Sequence, residues 1–364
     1  MLKAKGIQLR NELISLVDKA EVLVLEGIQL TVYPFRLSSK LTVLTIQELE
    51  LKYLFTPTIA KELVHLEKLE VRSCKIMEGI VRFEGQKDEN EITGEVKFSK
   101  LKQLKLTSLP NLISFFAKKE EMGTTMGSFS TRAQPLFNEQ VIFPVLESLT
   151  IDGLDNIIKI WDKQLVVVWQ EQGSFCQLTD LEVTHCSKLM HVFPSNINLL
   201  LKNLETLNVI ACETMKRIVE FEGERDEDGV RNEVAFPARE HLEMVGVIEI
   251  QDKQSLPEPR EEVESLCKLV RICIAKCDQL LYVFPSHMLI QNLQDLRIEN
   301  CDELEVIFSK DPKDEKEAIN DDIIVFPRLM AVRLGWLPQL KSFYSETQGF
   351  FSHKVQRTSL PLFT

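Results

Sequence analysis

The sequence predicts an α/β solenoid: a curved parallel β-sheet on the concave side, one short strand per repeat, with irregular loops and short helices on the convex side. Three observations predict it. A nine-residue frame recurs along nearly the whole chain, its apolar residues alternate as they do in a strand, and the intervals between copies vary in length while collecting Phe-Pro pairs and acidic runs.

The frame is L-x-x-[LI]-x-[VI]-x-x-C. It begins at Leu66 (LEKLEVRSC), Leu178 (LTDLEVTHC), Leu204 (LETLNVIAC), Leu269 (LVRICIAKC) and Leu293 (LQDLRIENC). Four more copies, at Leu41, Leu101, Leu146 and Leu329, end in Leu instead of Cys. Degraded copies start at Ala20 (AEVLVLEGI) and Arg239 (REHLEMVGV), the latter with Arg in the leucine slot. The copies are grouped. One type (41, 178, 269) runs on into KYLFTP, MHVFPS or LYVFPS; a second (66, 204, 293) into EGIV, KRIV or EVIF; a third (101, 239, 329, with an extra member at 146) follows KFSK, AFPA, VFPR or IFPV. A triplet of repeats thus recurs as a larger unit. Such self-similarity marks a repeat architecture, and it places residues 1–364 in a single leucine-rich-repeat solenoid of about eleven irregular repeats.

Each part of the frame has a physical role. Apolar residues at positions 4 and 6 straddle one outward residue, the alternation of a strand with one buried face. Position 1 fills the core before the strand and position 9 turns the chain inward after it. One copy cannot bury its apolar side chains alone; stacked copies make continuous ladders. The pairs Phe143–Pro144, Phe193–Pro194, Phe236–Pro237, Phe284–Pro285 and Phe326–Pro327 suit the return side, each Phe under the sheet and each Pro fixing a turn. Loop excursions are expected at 84–95, 117–141, 222–233 and 310–322. Three of these are acidic (EGQKDENEITGE, EGERDEDGVRNE, KDPKDEKEAINDD), and the fourth is Gly-, Ser- and Thr-rich.

Composition narrows the function. The chain has 364 residues, 43 Lys+Arg against 55 Asp+Glu and a net charge of −12. That excludes a general nucleic-acid binder, which needs a surplus of basic groups. At 44% hydrophobic residues the chain can fill a large core. No apolar run approaches the ~18–20 residues of a membrane span. The start, MLKAKGIQLRNEL, lacks the apolar region of a secretory signal. Eight cysteines in so long a chain are not a disulfide scaffold, and no asparagine begins an N-x-[ST] sequon. The expectation is a cytoplasmic protein, nucleus included, with reduced thiols.

Catalytic and ligand chemistry find little support. Cys273 and Cys277, with Cys267 and Cys301 near in sequence, bring zinc to mind. But Cys74, Cys186, Cys212, Cys277 and Cys301 share frame position 9, which sets them in a column instead of around a point, and no C-x-x-C pair opens a tetrahedral site. Cys273, at position 5, should be an outward free thiol. The six histidines have no partner at an informative spacing, and there is no G-x-S-x-G elbow. G-x-x-x-x-G-K-[ST] and G-x-G-x-x-G are also missing, so neither ATP binding nor another cofactor is expected. The chain reads as a non-enzyme with no metal and no cofactor.

Function therefore moves to the concave face, where positions 3, 5, 7 and 8 project. The candidate partner-binding residues are Lys68, Glu70 and Arg72; Asp180, Glu182 and His185; Asp295, Arg297 and Glu299; and Arg333 with Trp336. A mixed-charge strip with Arg and Trp anchors suits protein recognition. The alternative for any one of them is an ordinary solvated face.

The triplet with its VFP endings and acidic inserts, followed by FP-x-L…LP-x-L-x-SF, resembles the leucine-rich-repeat region of plant coiled-coil-type nucleotide-binding (NLR) disease resistance proteins. The residues that carry it are VFPRLMAVRLGWLPQLKSFYS at 325–345, VKFSKLKQLKLTSLPNLISFF at 96–116 and KAEVLVLEGI at 19–28. The resemblance spans nearly the whole chain. It implies an intracellular receptor whose repeats take part in recognising pathogen effectors and restrain a nucleotide-binding module. Its partner would be an effector, a guarded host protein or that module. The coiled-coil and nucleotide-binding modules are missing from these residues, so the chain is expected to be a repeat fragment or truncated paralogue, and switching is not carried over. The competing reading is a substrate-selecting leucine-rich-repeat subunit of a ubiquitin ligase, which also uses cysteine-ended repeats but keeps a near-constant period; here copies start 21 to 45 residues apart.

Overall fold

The computed structural model describes residues 1–6, 8–9, 17–30, 37–82, 95–117, 134–197, 200–220, 246–249, 266, 268–285, 290–309 and 326–344. Eleven parallel strands lie side by side in chain order. They are β1 (Leu2–Lys5), β2 (Val22–Glu26), β3 (Val43–Gln47), β4 (Lys68–Arg72), β5 (Gln103–Thr107) and β6 (Ser148–Asp152), followed by β7 (Asp180–Thr184), β8 (Thr206–Ile210), β9 (Arg271–Ala275), β10 (Asp295–Glu299) and β11 (Ala331–Gly335). From β2 onward each strand is positions 3 to 7 of one frame, and pairing is in register throughout. Leu44 faces Leu23 and Leu69; Leu181 faces Leu149 and Leu207. Positions 4 and 6 therefore form two apolar ladders, buried from β2 to β11. Burying one such side chain contributes about 1.5–3 kcal/mol, which no repeat secures without its neighbours.

The strand end is also shared. Position 8 has left-handed φ in all eleven repeats: Gly6, Gly27 and Gly153 in three, and Glu48, Ser73, Ser108, His185, Ala211, Lys276, Asn300 and Trp336 in the others. This turn aims the position-8 N–H at the position-7 carbonyl of the next strand, as in Gly153 to Thr184 (2.9 Å), His185 to Ile210 (2.9 Å) and Ala211 to Ala275 (2.8 Å). It then drops position 9 into the core. Cys74, Cys186, Cys212, Cys277 and Cys301 are all buried there.

Three expectations need correction. First, β1 belongs to a repeat the frame search missed. Leu2 and Ala4 sit at positions 4 and 6, and Leu2 faces Leu23. Second, the copy at Arg239 supplies no strand to the ladder, because β8 pairs directly with β9. Residues 239–245 of that copy lie outside the described residues. Gly246–Glu249 forms a strand antiparallel to β11 at the sheet's far edge. Third, the excursion expected at 117–141 is ordered structure at both ends and core at the second. Ala117 closes the short strand Ser114–Ala117, and Leu136, Phe137 and Val141 are buried. Residues 118–133, 222–233 and 310–322, and the acidic run up to residue 94, lie outside the described residues.

Among the described residues the return side is made of short parallel ladders, two short α-helices and a 3-10 turn at Lys163–Leu165. Tyr53–Phe55, Gly79–Arg82 and Ser114–Ala117 pair in one ladder; Phe284–Pro285, Val306–Ser309 and Ser342–Tyr344 in another. Helix α1 (Pro57–Glu62) starts on Thr56, whose hydroxyl accepts from the Ile59 N–H, with Pro in the first turn. Helix α2 (Val166–Gln172) ends on Gly173 at φ 71. The Phe-Pro pairs divide between two sites. Phe143 and Phe326 lie three residues before frame position 1, where the N–H of Leu329 bonds to the carbonyl of Phe326. Phe193 and Phe284 lie beyond the strand in the return segments, and Phe236 is outside the described residues. The long interval before Leu146 is filled by aromatic stacking: Phe137 packs on Phe115, Phe143, Trp161 and Phe175 at 5.1 to 5.8 Å. Among the described residues no helix is long and apolar enough to cross a membrane.

Candidate functional site: the outward face of the sheet

With positions 4, 6 and 9 committed to the core, positions 3, 5, 7 and 8 are what the sheet offers to a partner. On β4, Lys68 is half-buried and Arg72 exposed, while Glu70 between them is only 7% exposed. Its carboxylate pairs with the Arg72 guanidinium and lies 3.7 Å from Lys68 Nζ. Glu70 was expected to project freely; its own strand covers and neutralises it instead.

On β10 Arg297 pairs with Glu299 at 2.7 Å. That hydrogen bond holds the Glu299 carboxyl below the ordinary range, with Arg333 on β11 adding to the effect, and it raises Arg297. Asp295 is half-buried and Arg333 exposed. Register sets Arg297 directly beside Arg333 and Cys273. Cys273 is partly exposed, as its position implies, and burial pushes its thiol up. Trp336 is 73% exposed, but it lies in the left-handed turn just past β11 and not on the strand.

The centre differs. Asp180 is exposed and accepts a hydrogen bond from the neighbouring Thr179 hydroxyl (2.7 Å); Glu182 accepts one from Thr150 on β6 (3.4 Å). His185, in its left-handed turn, donates from Nδ1 to Asp152 Oδ1 (2.9 Å), and the same oxygen accepts the Thr184 hydroxyl (2.7 Å). Thr150 and Asp152 were missed as site residues, although the frame gives them positions 5 and 7 of the copy at Leu146. Strands β6 to β8 carry no Lys or Arg at positions 3, 5, 7 or 8.

The cysteine column has the geometry of a packing element. Cys186, Cys212, Cys277 and Cys301 lie on consecutive repeats, each thiol donating to the carbonyl two residues back at 3.3 to 3.7 Å. Hydrogen bonds to the neighbouring thiols, together with burial, push Cys212 up. Among the described residues no group of three or more His, Cys, Asp or Glu is placed to hold a metal ion.

Comparison with known proteins fits this geometry. The family model for plant disease resistance protein RPS2-like leucine-rich repeats matches residues 24–131, 145–251 and 240–356. No curated protein and no solved structure matches the chain. The three matched segments span most of the chain and hold nine of the eleven ladder strands whole, β3 to β11, together with the last three residues of β2. By its frame, its in-register ladders and this match, the chain belongs to the RPS2-like leucine-rich repeats of plant disease resistance proteins.

Proposed function

We propose that the chain is a non-catalytic, intracellular protein-recognition scaffold of plant defence, whose sheet face binds a pathogen effector, a guarded host protein or a nucleotide-binding module. The observation that carries this is the division of each strand. Burial of positions 4, 6 and 9 holds the repeats together, and a long row of polar and charged side chains is left over on a rigid parallel sheet. Rigid, preorganised surfaces lose little entropy on binding. The free cysteines among the described residues suit a reducing compartment.

The test is pairwise binding of the full chain to separately produced candidates, including the nucleotide-binding module of an RPS2-like receptor. Binding that Arg297→Ala, Arg333→Ala or Trp336→Ala weakens without loss of folding supports the proposal. Binding that none of the three alters places the contact elsewhere. Recovery of a ubiquitin-ligase core with the chain replaces the proposal with a substrate-selecting role.

A further inference from the structure

The sheet face is not uniform in charge, and the pattern points to the chemistry of what sits on it. Towards the N-terminal end the charged groups neutralise one another: Lys5 pairs with Glu26 at 2.5 Å, and Glu70 takes both Lys68 and Arg72. Towards the C-terminal end Arg297 pairs with Glu299, and Arg333 adds to the field on that carboxylate. The middle three strands, β6 to β8, present Asp152, Asp180 and Glu182. These carboxylates are met by hydroxyls and one imidazole, and by no Lys or Arg among the described residues. Lys105 on β5 borders this zone on one side, and Arg271 and Lys276 border it on the other.

We infer that the centre of the face takes a cationic, Lys- or Arg-bearing segment of the protein partner, held between the two basic borders. The inference rests on the reading above that this face binds protein, and it adds the charge and the place. Charge complementarity selects the occupant. Carboxylates already satisfied by Lys or Arg offer a cation little, whereas the central three offer it charge that no Lys or Arg meets, Asp152 and Glu182 from half-buried positions and Asp180 from an exposed one. An anionic segment meets repulsion there. The geometry suits one segment: three strands at about 4.8 Å spacing make a strip about 10–15 Å wide, enough for an extended chain or one helix. The floor of that strip is small and hydrogen-bonding, with Ser148 and Thr206 in register on either side of Asp180 and Thr150 beside Glu182. Lys105, Arg271 and Lys276 keep a basic segment from sliding along the sheet and favour acidic residues on either side of it.

The test titrates the full chain into a labelled peptide alternating Arg and Ser, and into one alternating Glu and Ser, by fluorescence anisotropy at low and physiological ionic strength. Two variants remove the same amount of charge. Asp180→Asn with Glu182→Gln alters the face; Asp278→Asn with Asp302→Asn alters exposed residues just past β9 and β10, off the face. The expected result is about fivefold weaker binding of the basic peptide for the face pair and less than about twofold for the other, because each exposed carboxylate contributes only a fraction of an ion pair. Equal losses from the two pairs mean that the peptide senses only net charge, and they overturn the inference. So does tighter binding of the acidic peptide. If the face pair changes nothing while Arg333→Ala or Trp336→Ala still abolishes capture of a protein partner, the central zone is wrong and the scaffold reading stands. If none of these variants matters, both fail.

Discussion

The left-handed turn at position 8 predicts two substitutions with opposite signs. A non-glycine residue in this region carries roughly 1–2 kcal/mol of steric cost, from Cβ against the following carbonyl. Ala211 has φ 55 and Gly153 φ 63, at the same frame position two strands apart. Ala211→Gly removes the cost but gives the unfolded chain about 0.4–1 kcal/mol of extra freedom. The net expectation is a gain of about 0.5–1 kcal/mol, with the Ala211 N–H bond to Ala275 kept. Gly153→Ala should lose a similar amount. Its new Cβ meets Ser108 Cα at 3.4 Å, ordinary contact, so the loss is conformational and not a clash. Urea unfolding with unchanged slope reads the sign. Native-state exchange of the Ala211 and Gly153 amides reads whether the effect is local to those repeats, which matters because repeat arrays need not unfold in one step. Destabilisation by Ala211→Gly, or no effect of Gly153→Ala, would refute the idea that this turn sets the strand end.

Leu181→Asp places a charge between Leu149 and Leu207 in the buried ladder and should cost several kcal/mol, unfolding adjacent repeats first; limited proteolysis should cut near β6 to β8, and a soluble, fully cooperative variant would count against the ladder. Glu78, hydrogen-bonded to Lys52 at 2.7 Å, and Glu299, hydrogen-bonded to Arg297, have lowered pKa values. Because the folded pKa lies below the unfolded one, their contribution is present above the ordinary carboxylate range (~4) and is lost as pH falls through the folded value. The acid-side drop in thermal midpoint should therefore be smaller in Glu78→Gln and Glu299→Gln, both of which start lower at neutral pH. Among the described cysteines, Cys176 and Cys273 should react with an aryl disulfide in the folded state, slowly at neutral pH because burial raises both thiols. Cys74, Cys186, Cys212, Cys277 and Cys301 should react only on unfolding.

How much of this was legible in the sequence depended on whether the cause was local. Positions 4, 6 and 9 were readable because alternation and burial are properties of nine consecutive residues. The repeat at Leu2 escaped because its position 1 would precede the chain and its position 6 is Ala4, a weak apolar signal. Yet the run KGIQL at 5–9, repeated as EGIQL at 26–30, marked the same turn twice. The frame at Arg239 fitted the pattern, but a pattern does not say which strands pair, and β8 and β9 close without it. Leu136 and Phe137 sit beside a Gly/Ser/Thr-rich stretch and are core because Phe115, Phe143, Trp161 and Phe175 converge from other segments. On the face, the outward positions followed from the frame. The bond between His185 and Asp152 did not, because its two residues are 33 apart and meet only through register. The turn at position 8 had a sequence signal only in its three glycines; Glu, Lys and Trp at the same place disguise it.

That disguise bears on how the fold tolerates change. Exposed side chains at positions 3, 5 and 7 can be exchanged with little effect on stability, because surface ion pairs are worth at most about 1 kcal/mol; the buried Glu70 and Thr184 are exceptions. Charge on the face can thus be rewritten strand by strand while the core stays fixed. Position 8 is where the two demands collide: its side chain is available to a partner, but its backbone conformation favours glycine. Eight of the eleven repeats nonetheless keep a side chain there, among them the exposed Trp336 and the Asp152-bound His185. A conformational cost retained at an exposed site, where burial cannot offset it, has to be balanced by something other than packing, and strained positions of this kind collect where proteins bind. Under the proposed recognition role, the column of position-8 residues, more than any single charge on the strands, is where binding and stability would be set against each other in this sheet.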